Sequence, residues 1–277
     1  MGEYYLRRAI ANVDGREIRN LRMAFKVEKT LKSHPNQAEL RIWNLSKDSR
    51  TQLKKDLAVS IQAGYAEDIN LIFSGTMRKV DHPQVGPDII TRARIGDGEK
   101  EIKKSRISTS FKGKATPEQV VKKLAEATGL KVGNSLKKAQ QGDLDGALKE
   151  LTNGTVLMGN PFAIMETTAR NMGYDLSVQD GALTMLGADE TLDYAAYLLS
   201  AQTGLVGSPE QAESSVVKGG IIKAVSLLNG ELIPGREVLL KSRQFDGSCR
   251  IEKVTFQGDT HGNEWFANLE LKRLGGA

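Results

Sequence analysis

QAELRIW, residues 37–43, opens the stretch that decides the fold, which continues to Asp97. Polar and apolar residues alternate along it, so its apolar side chains share one face, as in a half-buried strand. Ser46 then stands where it can cap a short helix that ends near Leu57. Three more strand patterns follow, at residues 58–64, 70–80 and 88–95. The stretch therefore predicts a compact β-module with one small helix.

Two strand patterns precede this stretch. They cover residues 4–12 and Leu21–Thr30, and Asp14-Gly15 between them is a good hairpin turn. Five or six antiparallel strands with one helix are typical of a closed or nearly closed barrel. We therefore expect residues 1–105 to form a first β-barrel module.

The C-terminal part of the chain repeats the same plan. Few identities align, but the order of the elements is kept. Residues 224–229 align with 40–45, 237–242 with 58–64, 247–254 with 75–80, and 264–273 with 88–95. The pattern predicts a second, similar module over residues 219–277. Such repetition favours a structure built from repeated units over a catalytic cleft.

The region between the modules has a different character. Thr116-Pro117 and Asn160-Pro161 each place a capping residue before a proline at the first helical position. Leucines at 144–151 fit another short helix, and Tyr174–Leu186 has the pattern of a β-hairpin. These signals predict a small α+β domain.

The predicted fold class is therefore mainly β with an α+β insertion. Two similar antiparallel β-barrel modules, 1–105 and 219–277, flank the α+β domain at 106–200. Residues 201–218 are rich in Gly, Ser, Glu and Gln, and they predict a linker or long loop.

Composition excludes several classes of site. The 277 residues suffice for two or three domains, and 39% hydrophobic with 26% charged residues is typical of a globular chain. The lone Cys249 excludes an intramolecular disulfide and a cysteine-rich metal site, and the three histidines lack ligand spacing. We expect no cofactor and no metal. Residues 1–10 lack a secretory pattern, and the longest apolar run, 194–201, is too short to span a bilayer.

The charge is uneven along the chain. The net charge is +5, yet Glu99–Lys138 holds eleven Lys/Arg against four Glu, a local +7. Such a segment suits phosphate or an acidic protein face, although a solvated helix and loop surface explains it as well. Its paired lysines are the candidate interface residues: Lys122, Lys123, Lys137 and Lys138.

No enzyme motif is present in the sequence. The carboxylate pairs Asp143/Asp145 and Asp189/Glu190 could serve a peptidoglycan hydrolase, but loop and cap roles are commoner for such residues. A basic nucleic-acid-binding protein that uses Glu99–Lys138 is the other alternative, and the aromatic content of 5% is low for that role. Neither alternative explains the duplicated module, so we predict no catalytic residue.

Motifs in both modules resemble the baseplate hub proteins of contractile-tailed bacteriophages. In the first module they lie at residues 36–46, 61–65, 72–75 and 86–98, and in the second at 227–229, 234–235 and 258–265. The resemblance implies two tube-type β-barrel domains per chain and a ring of three chains. Such a homotrimer is a pseudo-hexamer, which lets a threefold spike meet a sixfold tail tube.

The resemblance also implies the setting of the protein. The expected partners are the tail spike protein, the tail tube protein and surrounding baseplate proteins. The expected location is the tail baseplate of the virion, after synthesis in the host cytoplasm, with no membrane contact and with DNA only in transit. Strands at Leu21–Thr30, Asn70–Val80 and Gly247–Gln257 are expected at the inner wall or its contacts. The candidate lysines would face an acidic baseplate partner.

Overall fold

A computed structural model of the chain describes residues 6–66, 68–110, 117–133, 156–171, 173–212 and 220–275. The helix predicted at 144–151 lies outside these residues. The chain divides into two compact units. Unit 1 contains Met1–Thr30, Asn36–Asp97 and Tyr194–Ala277, and unit 2 contains Leu31–Pro35 and Gly98–Asp193.

Strands dominate the described part of the chain, which confirms the mainly β fold class. In chain order the elements are β1 (Arg7–Val13), β2 (Arg16–Ile18), β3 (Met23–Thr30), β4 (Gln37–Trp43), α1 (Lys47–Gln52), β5 (Ala58–Tyr65), β6 (Asp68–Asp81), β7 (Gln84–Val85), β8 (Asp88–Gly96), α2 (Glu99–Lys104), β9 (Ile107–Ser110), α3 (Pro117–Thr128), β10 (Lys131–Val132), β11 (Val156–Gly159), α4 (Pro161–Asn171), β12 (Tyr174–Gln179), β13 (Ala182–Gly187), β14 (Tyr197–Ser200), β15 (Leu205–Ala212), β16 (Ile221–Leu227), β17 (Glu237–Lys241), β18 (Asp246–Asp259) and β19 (Trp265–Arg273).

Unit 1 contains the same six-strand arrangement twice. In the first repeat, the hydrogen-bonded order is β3-β4-β8-β6-β5-β1. In the second repeat it is β15-β16-β19-β18-β17-β14, so each strand has a counterpart at the same position. All pairs within the repeats are antiparallel except β14 with β17, which is parallel. The strand order therefore contains the duplication that the sequence predicted.

The two repeats also share their registers. β6 and β18 each have 14 residues, and β8 and β19 each have 9. Each long strand carries one extra residue at the same place, after Met77 in β6 and after Ile251 in β18. A bulge of this kind bends a strand, so each long strand can pair with different neighbours along its two halves.

Individual backbone hydrogen bonds recur at equivalent positions. The left-handed backbone at Asp56 (φ 72°) is also repeated, at Gly235 (φ 88°). Five N–H···O bonds of the first repeat have a counterpart in the second: Trp43 to Arg22 (3.1 Å) with Leu227 to Gly204 (2.8 Å), Asn44 to Ile89 (2.8 Å) with Leu228 to Trp265 (3.3 Å), Leu53 to Arg50 (3.2 Å) with Leu232 to Asn229 (3.2 Å), Asp56 to Met77 (2.8 Å) with Gly235 to Ile251 (2.8 Å), and Met77 to Leu57 (2.8 Å) with Ile251 to Arg236 (3.1 Å).

The predicted helix of the first module forms, but it is shorter than expected. The Ser46 side chain caps it by accepting the Ser49 N–H at 3.2 Å. The helix ends at Gln52 because Leu53 is extended and, like Leu57, packs against the core of unit 1. Burial of these leucines thus replaces the last helical turn that the sequence pattern allowed.

The expected linker at 201–218 is where the structure differs most. Its residues 205–212 form β15, which pairs with β16, and the preceding β14 pairs with β17. Both strands belong to unit 1 although the predicted insertion ran to residue 200. The polar sequence of β15 gives no strand pattern because this edge strand buries only Leu205 and Pro209.

Unit 2 has its own hydrophobic core. α3 and α4 contribute Val120, Leu124, Phe162 and Met165 to a cluster that also includes residues of the β12–β13 hairpin. The predicted start of α4 is confirmed, because Asn160 Oδ1 accepts the N–H groups of residues 162 and 163 at 2.9 and 3.1 Å. Unit 2 is thus the α+β part of the chain.

Candidate assembly interface

The two repeats of unit 1 are joined by one strand pair. β3 of the first repeat and β18 of the second pair antiparallel from Thr30 opposite Lys253 to Ala24 opposite Asp259. Only the second half of β18 takes part, because its first half pairs with β17. We call this seven-residue contact the junction. It joins β18 to β3, at the border between the two repeats.

An aromatic ring covers a glycine near one end of the junction. Phe25 lies directly opposite Gly258, where a Cβ atom would come within 2.4 Å of the Phe25 ring and 2.8 Å of Trp265. The rings of Phe25 and Trp265 meet edge to face at a centroid distance of 5.4 Å. Both side chains are buried, so the absence of a side chain at Gly258 lets the rings close over the backbone.

Polar contacts close one end of the junction. Arg22 donates two hydrogen bonds to the Asp259 carboxylate, Nε to Oδ1 at 3.3 Å and Nη2 to Oδ2 at 2.8 Å. The backbones and a hydroxyl add two more, from Thr260 N–H to Met23 O (2.9 Å) and from Met23 N–H to Thr260 Oγ1 (3.1 Å). Arg22 also lies over the Trp43 ring at 4.4 Å. Arg22 thus forms a bidentate ion pair across the junction and a cation–π contact within the first repeat.

The ion pair makes the junction sensitive to acid. Desolvation raises the pKa of Asp259, but hydrogen bonds from Arg22 and from the backbone of His261 outweigh it, so the net pKa is lowered. Because the pKa of Asp259 is lower in the folded than in the unfolded chain, the ionised carboxylate stabilises the fold. This contribution is fully present above the unfolded pKa, near pH 4, and it is lost as the pH falls through the folded pKa.

Replacing Asp259 by Asn is expected to lower the Tm by about 1–3 °C at pH 7, because the pair is partly exposed. The difference should shrink as the pH is lowered toward 2, because the wild-type carboxyl is progressively protonated. Thermal unfolding of both proteins at pH 7 and near pH 2 measures the difference in Tm. Asp246→Asn, an exposed acid on the same strand, is the control and should change little at either pH. A pH-independent loss in Asp259→Asn would contradict the ionic contribution.

The first repeat has an edge equivalent to the half of β18 that forms the junction. β7 continues β6 against β8 in one register, from Lys79 opposite Arg94 to Gln84 opposite Ile89. Pro83 accepts the Ile90 N–H at 2.9 Å, so its ring nitrogen faces β8. The N–H groups of residues 80, 82 and 84 therefore face the other way. Among the described residues no strand pairs with this side of 79–85, which we call the free β6–β7 edge.

β15 provides the matching edge in the second repeat. It occupies the position that β3 has in the first repeat, and in the described part of the chain it pairs only with β16. Gly204 accepts the Leu227 N–H at 2.8 Å, as Arg22 does for Trp43. The outer side of β15, the free β15 edge, is thus equivalent to the side of β3 that binds β18.

The candidate lysines are only partly within the described residues. Lys122 and Lys123 are exposed on α3 of unit 2, whereas Lys137 and Lys138 lie outside the described residues. Val121 and Leu124, on either side of the first two, are buried, so α3 presents the lysines to solvent. Their role as an interface stays a prediction.

The other residues singled out in the sequence have structural contacts. Glu190 accepts the Gly187 N–H at 2.8 Å, while Asp143 and Asp145 lie outside the described residues. Burial raises the pKa of the Cys249 thiol, as expected for an unreactive core cysteine. Within the described ranges, no cluster of three or more His, Cys, Asp or Glu side chains could hold a metal ion.

Helices in the described ranges are all too short or too polar to cross a membrane.

Sequence reasoning identified both strands of the junction but missed their pairing. Leu21–Thr30 and Gly247–Gln257 were expected at an inner wall or its contacts, and the structure pairs them as β3 and β18. The free β15 edge does not follow from the sequence, because the polar residues 201–218 predict a linker. The repeat alignment was the available signal: a counterpart of β3 had to precede the strand that aligns with residues 40–45.

The family described as Baseplate hub gp41 matches residues 8–270. No curated protein matches the sequence.

Solved structures share the fold at low identity. The 43 kDa tail protein of prophage MuSo2 from Shewanella oneidensis has a TM-score of 0.66 at 11% identity, and covers 96% of this chain and 98% of its own. A tail protein from Neisseria meningitidis MC58 has a TM-score of 0.65 at 11% identity, covering 97% of both chains. A type VI secretion component of E. coli reaches 0.62 at 11% identity, covering 96% of this chain and 77% of its own.

At such identities, these structures show only that the fold is shared. The family match carries more, because it spans nearly the whole chain. The chain belongs to the Baseplate hub gp41 family of bacteriophage structural tail proteins.

Proposed function

We propose that this protein is a trimeric baseplate hub whose three chains form a ring of six repeats. Each repeat would be one tube-type β-barrel domain. The single observation that carries the proposal is the junction within the chain, together with the free edges that match it on both sides. A contact that exists once per chain, and whose two halves each recur as an edge that no strand of the described residues pairs with, can be repeated between chains.

The repeat equivalence predicts which strands meet. Within the chain, β3 of the first repeat binds the second half of β18. Between chains, the counterpart of β3 is β15, and the counterpart of that half of β18 is the free β6–β7 edge. We therefore infer that β15 of one chain pairs antiparallel with residues 79–85 of the next. An exposed strand edge invites aggregation, and this pairing would cover both edges.

The register of the contact follows from the junction. Ala24 lies opposite Asp259 there, and their counterparts are Val206 and Val85. These valines are 37% and 48% exposed, which makes them two of the few exposed large apolar residues of unit 1. In the inferred pairing they lie opposite each other at a position without direct hydrogen bonds, where side chains are closest. The pairing would thus bury both.

The ring provides the adaptor role of a hub. Six similar repeats can meet a sixfold tail tube, and three identical chains can meet a threefold spike. We propose the tail tube protein, the spike protein and surrounding baseplate proteins as partners, with DNA passing only through the lumen. Family membership supports a location in the virion tail, following synthesis in the host cytoplasm. The role needs no catalysis, so a zymogram on cell-wall substrate should show no clearing.

The mass of the purified protein tests the ring directly. We expect a trimer of about 91 kDa, three times the 30.2 kDa chain, with six density lobes around a hole in electron-microscope class averages. A chain that stays monomeric, and that forms no ring when the spike is added, would overturn the proposal.

Cysteine cross-linking tests the inferred strand pairing. Val85→Cys and Val206→Cys in one chain should give covalent dimers and trimers under mild oxidation, because opposed residues at such positions fall within disulfide range. Non-reducing gels measure the product. Cys249 is buried and should not react. Leu71→Cys with Val206→Cys is the control, since Leu71 is also exposed (41%) but lies on the β5-paired half of β6. Equal cross-linking in both variants would contradict the register.

The basic surface of α3 is proposed as the contact to an acidic baseplate partner. Reversing charge with Lys122→Glu and Lys123→Glu, with or without the same change at Lys137 and Lys138, should leave the hub ring intact. Incorporation into baseplates should fall several-fold because opposite charges steer and hold such contacts. Normal assembly of the variant would count against the contact. Steep salt-dependent retention of DNA by the wild type would instead favour a nucleic-acid role.

A further inference from the structure

The two ends of the repeated sheet differ in how well the repeats match. At one end of the sheet, strands β4 and β16 end and strands β8 and β19 begin. We call this end the hairpin end. At the opposite end of the sheet, strands β4 and β16 begin and strands β8 and β19 end. We call this end the insertion end. β3 and β18 run antiparallel in register, so both repeats have their hairpin ends on the same side.

The repeats differ at the insertion end. In the first repeat, the chain leaves unit 1 there twice, after Thr30 and after Asp97, and these two points lead in sequence to the two segments of unit 2, Leu31–Pro35 and Gly98–Asp193. In the second repeat, eight residues join β15 to β16, and β19 ends at Arg273. This end therefore carries features that occur once per chain.

The repeats match at the hairpin end. The bonds from Trp43 to Arg22 and from Asn44 to Ile89 lie there, and both recur in the second repeat. The β-turn or loop that leads into β8 and β19 differs by only three residues in length, 86–87 against 260–264. These backbone segments are therefore presented twice per chain at this end, while the link after β4, residues 44–57 with α1, is five residues longer than the link after β16, residues 228–236.

A carboxylate is repeated at the hairpin end. Asp88 pairs with Val85 at the start of β8, and the backbone carbonyl of Glu264 accepts the Asp259 N–H at 2.9 Å just before β19. Since Val85 and Asp259 are counterparts, Asp88 and Glu264 are counterparts as well. Glu264 is exposed, and half-buried Asp88 accepts a hydrogen bond from Asn44 Nδ2 at 2.8 Å. In a three-chain ring, one acidic side chain would recur six times.

We propose that the hairpin end binds the sixfold partner, a tube ring with a basic side chain on each subunit, and that the insertion end binds the threefold partner. The inference rests on the proposed ring. A partner of six identical subunits gains six equal contacts only from a surface that recurs six times. A feature present once per chain can satisfy a threefold partner but would leave half of a sixfold partner without contacts.

Charge reversal on the full chain tests the proposal, with the tail tube protein of the same phage as the probe. Asp88→Lys and Glu264→Lys are made singly and together, and Asp68→Lys with Asp246→Lys is the control. The control residues are also acidic and exposed, and each is the first residue of β6 or β18. Ring formation of each variant is measured first, by mass and electron microscopy. Binding of the tube protein to the ring is measured second.

We expect every variant to form the ring. Each single reversal should weaken tube binding by a similar factor, about ten-fold, because three rim contacts are reversed in either case. The double reversal should weaken it further, and the control should bind as wild type does. If rings form but only one of the two positions matters, or neither, the assignment of the hairpin end is overturned. If the wild type forms no ring, the proposed function itself fails.

Discussion

A valine in place of Gly258 should destabilise unit 1 more than any change on its solvent-exposed face. The added side chain would overlap the Phe25 ring, since even a Cβ atom would come within 2.4 Å of it. Neither ring can move freely, because Phe25 and Trp265 are both buried and in contact. Overpacking of this kind costs about 1–3 kcal/mol. Chemical denaturation, with the free energy of unfolding extrapolated to water, measures the loss of stability.

A second-site variant distinguishes the ring clash from a general intolerance of β18. The double variant Phe25→Ala/Gly258→Val should lose less stability than the sum of the two single losses, because removing the Phe25 ring also removes the overlap. Thr255→Val, a half-exposed position on the same strand, serves as the control for adding a branched side chain. Strictly additive losses in the double variant would show that Phe25 is not what Gly258→Val displaces.

Replacing Trp265 by Ala should be the most damaging single truncation in the chain. The side chain is fully buried and meets Phe25 and Tyr65 edge to face, at centroid distances of 5.4 and 6.4 Å. Removing such a ring from a core costs about 3–5 kcal/mol. Trp265→Phe should lose much less, since it keeps an aromatic ring, and the indole N–H has no hydrogen-bond acceptor within the described residues.

The other tryptophan gives a matched comparison. Trp43 is half-buried and is covered on one side by the Arg22 guanidinium, so Trp43→Ala should cost about 1 kcal/mol. The chain has only two tryptophans, so the fluorescence of each single variant comes from the tryptophan that remains. Equal losses from the two truncations would contradict the different burial of the two side chains.

Elements with strong local patterns were predictable from the sequence. The alternation in Gln37–Trp43 and in Trp265–Arg273 reflects one buried face, and the hairpin turn at Asp180-Gly181 has the left-handed backbone that its residues favour. The start of α4 was predictable because Asn160 and Pro161 satisfy local rules. Periodicity also located the repeat, since each core-facing strand has to keep its alternation.

Elements defined by distant partners were not predictable in the same way. β15 is polar because it is an edge strand, and Pro209 and Gly207 within it read as loop signals. β14 gains its place from a parallel partner, β17, about 40 residues away. The bulges after Met77 and Ile251 depend on pairing that no local pattern encodes. The free β6–β7 edge and the free β15 edge therefore follow from the strand order and not from the sequence pattern.

The junction has a consequence for how the chain reaches its native state. Thr30 and Lys253 are 223 residues apart in sequence, and Ala24 and Asp259 are 235 apart. At about 5–20 residues per second, a ribosome needs roughly 10–50 s to supply the partner of β3 after β3 itself. During that time the strand is an open template, and charged Lys26 and Glu28 on it are the kind of residues that discourage wrong pairing. Such high contact order makes completion of unit 1 slow, and it couples correct folding to the synthesis of β18.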